Sequence, residues 1–207
     1  DVMEQPKGTL NALVYDMGKV CKEGASLLNK NVLILDIGFG TEDKFGFKSG
    51  VSTNHDTTKD TAMRAVFEDV SHRLRKKNPD LDVKVFEFQK YLEEGTIPFF
   101  NEETYDMSYE PFAEMLEVAN KELSDKSIER LMRENDNLKD YHYLVVTGGT
   151  GESRLDYIKE KLIKYVDATN SDYGLFIIFN TQEKKIDFEK ICLNLEYIIL
   201  SLPTWPI

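Results

Sequence analysis

The sequence predicts an α/β fold with one mixed sheet, interrupted by a mostly helical region. Three observations predict it. Two apolar runs, Val32–Asp36 and Tyr143–Thr147, lie roughly a hundred residues apart, and each ends in a glycine-bearing turn, the pattern of strands buried on both faces. A stretch of strict alternation follows the first run and reads as a hairpin. Long helical periodicities fill the interval between the two runs.

Each element follows in chain order. Pro6 and Gly8 break the chain before Leu10, Leu13, Val14 and Met17, which recur at helical spacing, and Gly18 fits a helix end. A polar turn with Gly24 and Asn29 leads into the strand Val32–Asp36. After Thr41, Asp43, Phe45 and Phe47 alternate with Lys44, Gly46 and Lys48; Ser49-Gly50 supplies the turn, and Val51 to Asn54 begins the return strand. Asp56-Thr57-Thr58 is expected to cap a long helix with Met63, Val66, Phe67, Val70 and Leu74 on its apolar face. That helix closes in Arg73-Leu74-Arg75-Lys76-Lys77-Asn78-Pro79, cations at a helix C-terminus and then a stop. The span from Asp80 to Asp106 is mixed, with a short helix over Phe86–Glu94. Tyr109-Glu110-Pro111 is expected to open a second long helix that buries Phe112, Met115, Leu116, Ala119 and Leu123 and continues or restarts through Ile128 and Leu131. The strand Tyr143–Thr147 follows, then a helix carrying Leu155, Ile158, Leu162 and Val166. A hairpin beside a central strand argues against a purely parallel doubly wound sheet.

Bulk properties narrow the function classes. The 207 residues suffice for one sizeable domain or two small ones, and 41% apolar with 30% charged is ordinary for a globular protein. A net charge of −11 argues against direct contact with nucleic acid or an anionic membrane; if DNA is involved, a basic adaptor should carry the contact. There is no run of eighteen apolar residues and no signal-peptide layout, so the expected location is cytoplasmic. Cys21 and Cys192 have no metal-type spacing, and His55, His72 and His142 are scattered, which makes a zinc site improbable. Asp1 is not a natural start, and the chain is expected to be cut from a longer protein.

The two turns carry the chemistry. In Asp36-Ile37-Gly38-Phe39-Gly40-Thr41, the aspartate at the strand tip can hold the hydration shell of Mg²⁺. Gly38, Gly40 and Thr41 offer backbone and hydroxyl donors to phosphate oxygens. In Thr147-Gly148-Gly149-Thr150-Gly151-Glu152, the paired glycines let a purine or ribose lie flat against the backbone beside a helix N-terminus. Each turn alone could be a structural strand connection. Together, with one bearing an aspartate, they suggest a nucleotide held between them. Glu4-Gln5-Pro6 precedes the first helix, where a polar side chain could orient an attacking water or could simply be a solvated turn. The Arg73–Lys77 run reads as a solvated helix end, and Met63, Phe67 and Met115 read as core.

These residues resemble the actin/heat-shock-70/sugar-kinase superfamily, and within it the ParM-like (StbA-like) plasmid-segregation actins. The family's second phosphate loop, Asp-x-Gly-x-x-Thr-x-Asp, is matched by Asp36-Ile37-Gly38-Phe39-Gly40-Thr41-Glu42-Asp43. Its adenosine loop is matched by Leu144-Val145-Val146-Thr147-Gly148-Gly149. The resemblance covers about residues 2–166 and implies an actin/heat-shock-70-like ATPase (ribonuclease-H-like) domain II, a mixed sheet with an inserted helical subdomain over about 56–135. Residues 167–207 would be a diverged C-terminal segment: Leu193-Asn194-Leu195-Glu196-Tyr197 only loosely echoes the family's closing Asn-x-x-Gly, without its glycine. The family's first phosphate loop is missing, so the chain looks like the C-terminal half of the enzyme.

The resemblance further implies Mg-ATP bound between two domains, hydrolysis coupled to polymerisation, and a small DNA-binding adaptor on the filament. Asp36 would place Mg²⁺ and its water, while Gly38, Gly40 and Thr41 would hold phosphate oxygens. Gly148, Gly149 and Thr150 would flank the adenosine. Gln5, or its neighbour Glu4, would position the attacking water. With half the electrostatic clamp absent, the isolated chain is expected to hydrolyse little.

Rival readings remain at the sequence level. A SAM-dependent methyltransferase also follows a strand with Asp-x-Gly-x-Gly, but it needs a helix after the loop, where this chain alternates. A non-catalytic actin-like filament subunit keeps the nucleotide site for structure alone. Small-molecule kinases and chaperones share both loops.

Overall fold

The computed structural model describes residues 5–16, 19–20, 27–79, 81, 83–169 and 176–179. The first elements are helix α1 (Gln5–Val14), the two-residue strands β1 (Tyr15–Asp16) and β2 (Lys19–Val20), and strands β3 (Asn31–Ile37), β4 (Glu42–Lys48) and β5 (Val51–Thr58). Helices α2 (Met63–Lys77) and α3 (Phe88–Tyr91) lead to strands β6 (Thr96–Asn101) and β7 (Asp106–Pro111). Helix α4 (Ala113–Glu134), strand β8 (Tyr143–Thr147), helices α5 (Gly149–Ser153) and α6 (Leu155–Thr169), and strand β9 (Phe176–Phe179) complete the order.

Strand β3 is apolar enough to lose water on both faces, and it lies at the centre of a mixed five-stranded sheet in the order β5-β4-β3-β8-β9. It pairs antiparallel with β4 and parallel with β8. Strand alternation divides its side chains between two layers. Leu33, Leu35 and Ile37 pack with Ile128 and Leu131 of α4 and Ile158 and Leu162 of α6. Val32 and Ile34 pack with Leu10 and Val14 of α1 and with Leu27, Phe47 and Val145. A third core lies among α2, α3, β6 and the first half of α4, around Val66, Phe67, Leu74, Phe88 and Phe112. Phe67 stacks on Phe88 with ring centres 5.3 Å apart, and Phe112 meets Phe88 edge-on.

Helix α4 joins two of these cores. Ala119 belongs to the core with α2, whereas Ile128, Leu131 and Met132 belong to the core under the sheet. Among the described residues no helix is long and apolar enough to cross a membrane.

Four elements depart from the sequence reading. Helix α1 takes in Pro6 and Gly8 and ends at Val14; proline in a first turn lacks only an N–H that has no helical acceptor anyway. Met17 and Gly18 lie outside the described residues. Strand β5 runs on through Asp56, Thr57 and Thr58, so these do not cap α2. The ladder to β4 continues to Glu42↔Thr58, and β-branched threonines suit it. Residues 96–111 form a two-stranded ribbon, so α4 starts at Ala113 rather than at Tyr109. The Phe99-Phe100 and Met107–Tyr109 stretches favour a pleated surface over a helix. Strand β9 adds a parallel edge beside β8, within the stretch read as diverged.

Candidate functional site

Because β3 and β8 run parallel and in register, their C-terminal tips lie side by side, with Asp36 opposite Thr147. The two glycine turns leave from those tips. On the other flank, Asp43 of β4 pairs with Asp36. By alternation Asp36 shares the face of Val32 and Ile34, the face that α1 covers. Its carboxylate is almost wholly buried.

The turns touch. Gly148 has a φ of +92°, a conformation that suits only glycine, and a Cβ there would stand 2.6 Å from Asp36 Oδ1 as well as collide with the Ile37 carbonyl. The Gly38 carbonyl is a meeting point. It accepts a hydrogen bond from Thr150 Oγ1 at 3.0 Å and another from the Met63 amide at 3.3 Å. The Arg64 amide donates to the Phe39 carbonyl at 2.8 Å, so the first turn supplies the backbone acceptors that α2 gets from no capping side chain. Within that turn, the Gly38 amide donates to the Thr41 carbonyl at 2.9 Å. Among the described residues, no heavy atom beyond the adjoining ones lies within 4 Å of where a Cβ would stand on Gly40 or Gly149, so both turns keep open space at one glycine.

The hydroxyls of the turns are engaged inside the protein. Thr41 Oγ1 donates to Asp43 Oδ2 at 2.8 Å, and Thr57 donates to the other oxygen of the same carboxylate. His55 closes this group: its Nε2 lies 3.0 Å from Thr57 Oγ1, and its ring stacks on Phe45 with centres 4.3 Å apart.

Sequence reasoning missed a second cluster, directly beneath the first turn. Arg154, in the link from α5 to α6, is completely buried. Its Nε donates to Asn120 Oδ1 at 2.7 Å, its Nη1 donates to the Thr61 carbonyl, and its Nη2 has no hydrogen-bond partner among the described residues. Arg130 reaches Glu42, a neighbour of Thr41, and its Nη2 lies 3.2 Å from Thr61 Oγ1. Glu42 keeps one carboxylate oxygen without a partner among the described residues. Lys44 binds Glu134 and lies 3.5 Å from Asp56. Burial pulls the Arg154 guanidinium down to about 10, against the opposing pull of Glu42. Two opposite charges at alternate positions of β4, Glu42 and Lys44, were the one sequence signal of this network. Nothing local pointed to Asn120 or Thr61.

No protein-family model matches the chain, and no curated protein matches it. Solved structures do match. A pCBH ParM, solved as a non-polymerisable quadruple mutant, superposes with a TM-score of 0.56 at 18% identity, over 77% of this chain and 52% of that one. The fold is actin-like. An archaeal actin homologue gives 0.56 at 13% identity, over 81% of this chain and 55% of that one. Bacillus thuringiensis ParM with ATP gives 0.51 at 14% identity, over 83% and 47% respectively. The chain thus spans about half the length of the actin-like structures it matches.

Within this actin-like fold, Asp36, Gly38, Gly40, Thr41, Gly148, Gly149 and Thr150 belong to two contiguous turns. Gln5 opens α1, the helix packed on the Asp36 face of β3. Glu4 lies outside the described residues, as do Cys21 and Cys192. Among the described residues no group of three or more His, Cys, Asp or Glu is placed to hold a metal. The single buried carboxylate of Asp36 would nevertheless suit a hydrated Mg²⁺ whose remaining ligands are water and phosphate.

Proposed function

We propose that this chain is the nucleotide-binding second half of an actin-like ATPase, residues 1–166 forming most of the domain and 167–207 a diverged segment that still supplies the end of α6 and the sheet strand β9. It binds Mg-ATP and assembles with copies of itself into filaments for plasmid DNA segregation, touching DNA only through a small adaptor protein. One observation carries the reading: two glycine turns, joined by the Thr150–Gly38 hydrogen bond, flank a buried aspartate that Gly148 alone leaves room for. Asp36 would hold Mg²⁺ through water, and the metal would supply charge neutralisation on the phosphates. The turn around Gly40 would receive the phosphates, Gly148–Thr150 the adenosine, and Gln5 or Glu4 would orient water. ATP in the similarly folded Bacillus thuringiensis ParM supports the ligand, and the named polymerisation defect of the pCBH ParM mutant supports assembly.

The internal engagement of the Thr41 and Thr150 hydroxyls favours a second reading, a filament subunit that holds nucleotide without turning it over. The hairpin β4–β5 after the first turn removes the support for a methyltransferase, whose cofactor loop runs into a helix.

Calorimetric titration with ATP, with and without Mg²⁺, tests the reading. The expected outcome is Mg-dependent binding that weakens by about tenfold or more in Asp36→Ala, the loss of one charged ligand interaction, with the circular dichroism spectrum unchanged. Absence of ATP binding by the wild-type chain would overturn it. Phosphate release by this chain joined to the proposed first half of the enzyme separates the ATPase from the silent subunit.

A further inference from the structure

Far from the two turns, the β6–β7 ribbon shows a face that no other described residue covers. Its inner face turns Ile97 into the third core, with Phe99 partly buried against it. On the outer face, cross-strand pairs set Pro98 against Tyr109 and Phe100 against Met107. Phe100 is 56% exposed, Met107 51%, Tyr109 63% and Tyr105 83%. Tyr105 meets Phe100 edge-on with ring centres 6.5 Å apart, so the rings form one platform. The tip is shaped: Asn101 Oδ1 accepts from the Glu103 and Thr104 amides at 2.9 and 3.2 Å, and Asp106 Oδ1 from the Met107 amide at 2.7 Å. Tyr105 itself is held at a φ of +54°. An uncovered aromatic face on an ordered ribbon is characteristic of an interface.

Charge identifies the occupant. Between residues 91 and 120 there are eight Asp or Glu and no Lys or Arg, against a net charge of −11 for the whole chain. Glu110 is engaged by Lys77 at 2.7 Å, while Glu102, Glu103 and Asp106 stand exposed around the aromatic platform. Such a surface repels nucleic acid and anionic lipid. It also repels its own image, because a symmetric pairing of two ribbons would set carboxylates against carboxylates. Rings bordered by carboxylates suit the planar guanidinium, which stacks on an aromatic face while its fork donates to an acid. We propose that the outer face of β6–β7 is a docking surface for an arginine-bearing cationic segment of a partner protein. This is independent of whether the chain binds nucleotide.

The test uses fluorescently labelled dodecapeptides of alternating arginine and alanine, and of alternating lysine and alanine, titrated against the full chain by anisotropy. The arginine peptide should bind about fivefold more tightly than the lysine peptide, because bare charge does not distinguish them and ring stacking does. Reversing Glu102 and Glu103 together to Lys should weaken binding about tenfold in low salt. Phe100→Ser with Tyr105→Ser, both exposed, should erase the preference for arginine. The remote pair Asp140→Lys with Asp156→Lys changes net charge equally and should lose much less. Equal losses in the remote and ribbon variants, no preference for arginine, or no binding would each overturn the proposal. Self-association of the wild type that Phe100→Ser with Tyr105→Ser abolishes would also overturn it, naming a second copy as the occupant.

Discussion

Gly148 sits against Asp36 so closely that the smallest side chain at 148 would stand 2.6 Å from the carboxylate Oδ1. The second turn therefore fixes where the acid of the first can be. Neighbouring Gly149 has no such constraint. The two glycines look alike in sequence and do different physical work.

Gly148→Ala should cost about 2–4 kcal/mol of folding stability, the sum of left-handed backbone strain and a steric clash with β3. Gly149→Ala should stay within about 1 kcal/mol. Urea denaturation checks both, and similar midpoints for the two variants would contradict the geometry. Should Gly149 lie under the adenosine, its alanine variant would weaken ATP binding while leaving the urea midpoint nearly in place.

Arg154→Ala should cost about 3–5 kcal/mol, because it strips partners from the buried Asn120 and Thr61 oxygens and leaves a void. Arg154 also compensates Glu42 electrostatically. Neutralising the acid with Glu42→Gln should accordingly cost less in an Arg154→Met background than in the wild type, by about 1 kcal/mol. A double-mutant cycle on urea unfolding reads that coupling, and strict additivity would show that the two charges do not sense each other.

Tyr141 supplies a pH signature. Burial raises its phenol above the usual value, and the Asp140 charge adds to this, while a hydrogen bond with Asn54 pulls the other way. A phenol with a raised folded pKa contributes stability that is whole below about pH 10, its unfolded value, and is lost as pH climbs through the folded one. Tyr141→Phe should flatten that part of the alkaline loss. Stability measured from pH 8 to pH 11 checks it, and an unchanged slope would exclude Tyr141 as its source.

What the sequence made legible was local. The strand tips with their glycines, the β4–β5 hairpin and the apolar faces of α2 and α4 are patterns within a few residues of one another, and they hold in the structure. The ribbon β6–β7 was missed because Pro111 mimics a helix start, whereas here it ends a strand opposite Thr96. The cluster around Arg154 was missed for a different reason: its partners Asn120 and Thr61 are 34 and 93 positions away, and no periodicity encodes such a meeting. Of the candidate site, the positions of the acid and the glycines at two strand tips could be read, but not the hydrogen bonds that occupy Thr41 and Thr150.

Helix α4 has a mechanical consequence. A rod of 22 residues measures about 33 Å, and this one is anchored in the sheet's core at one end and in the outer core at the other. Pivoting such a lever by about five degrees carries its far end about 3 Å, with every bond inside the rod intact. Arg154 grips it at Asn120, beside Ala119 of the outer core, so a displacement of Arg154 is passed along the rod to that core.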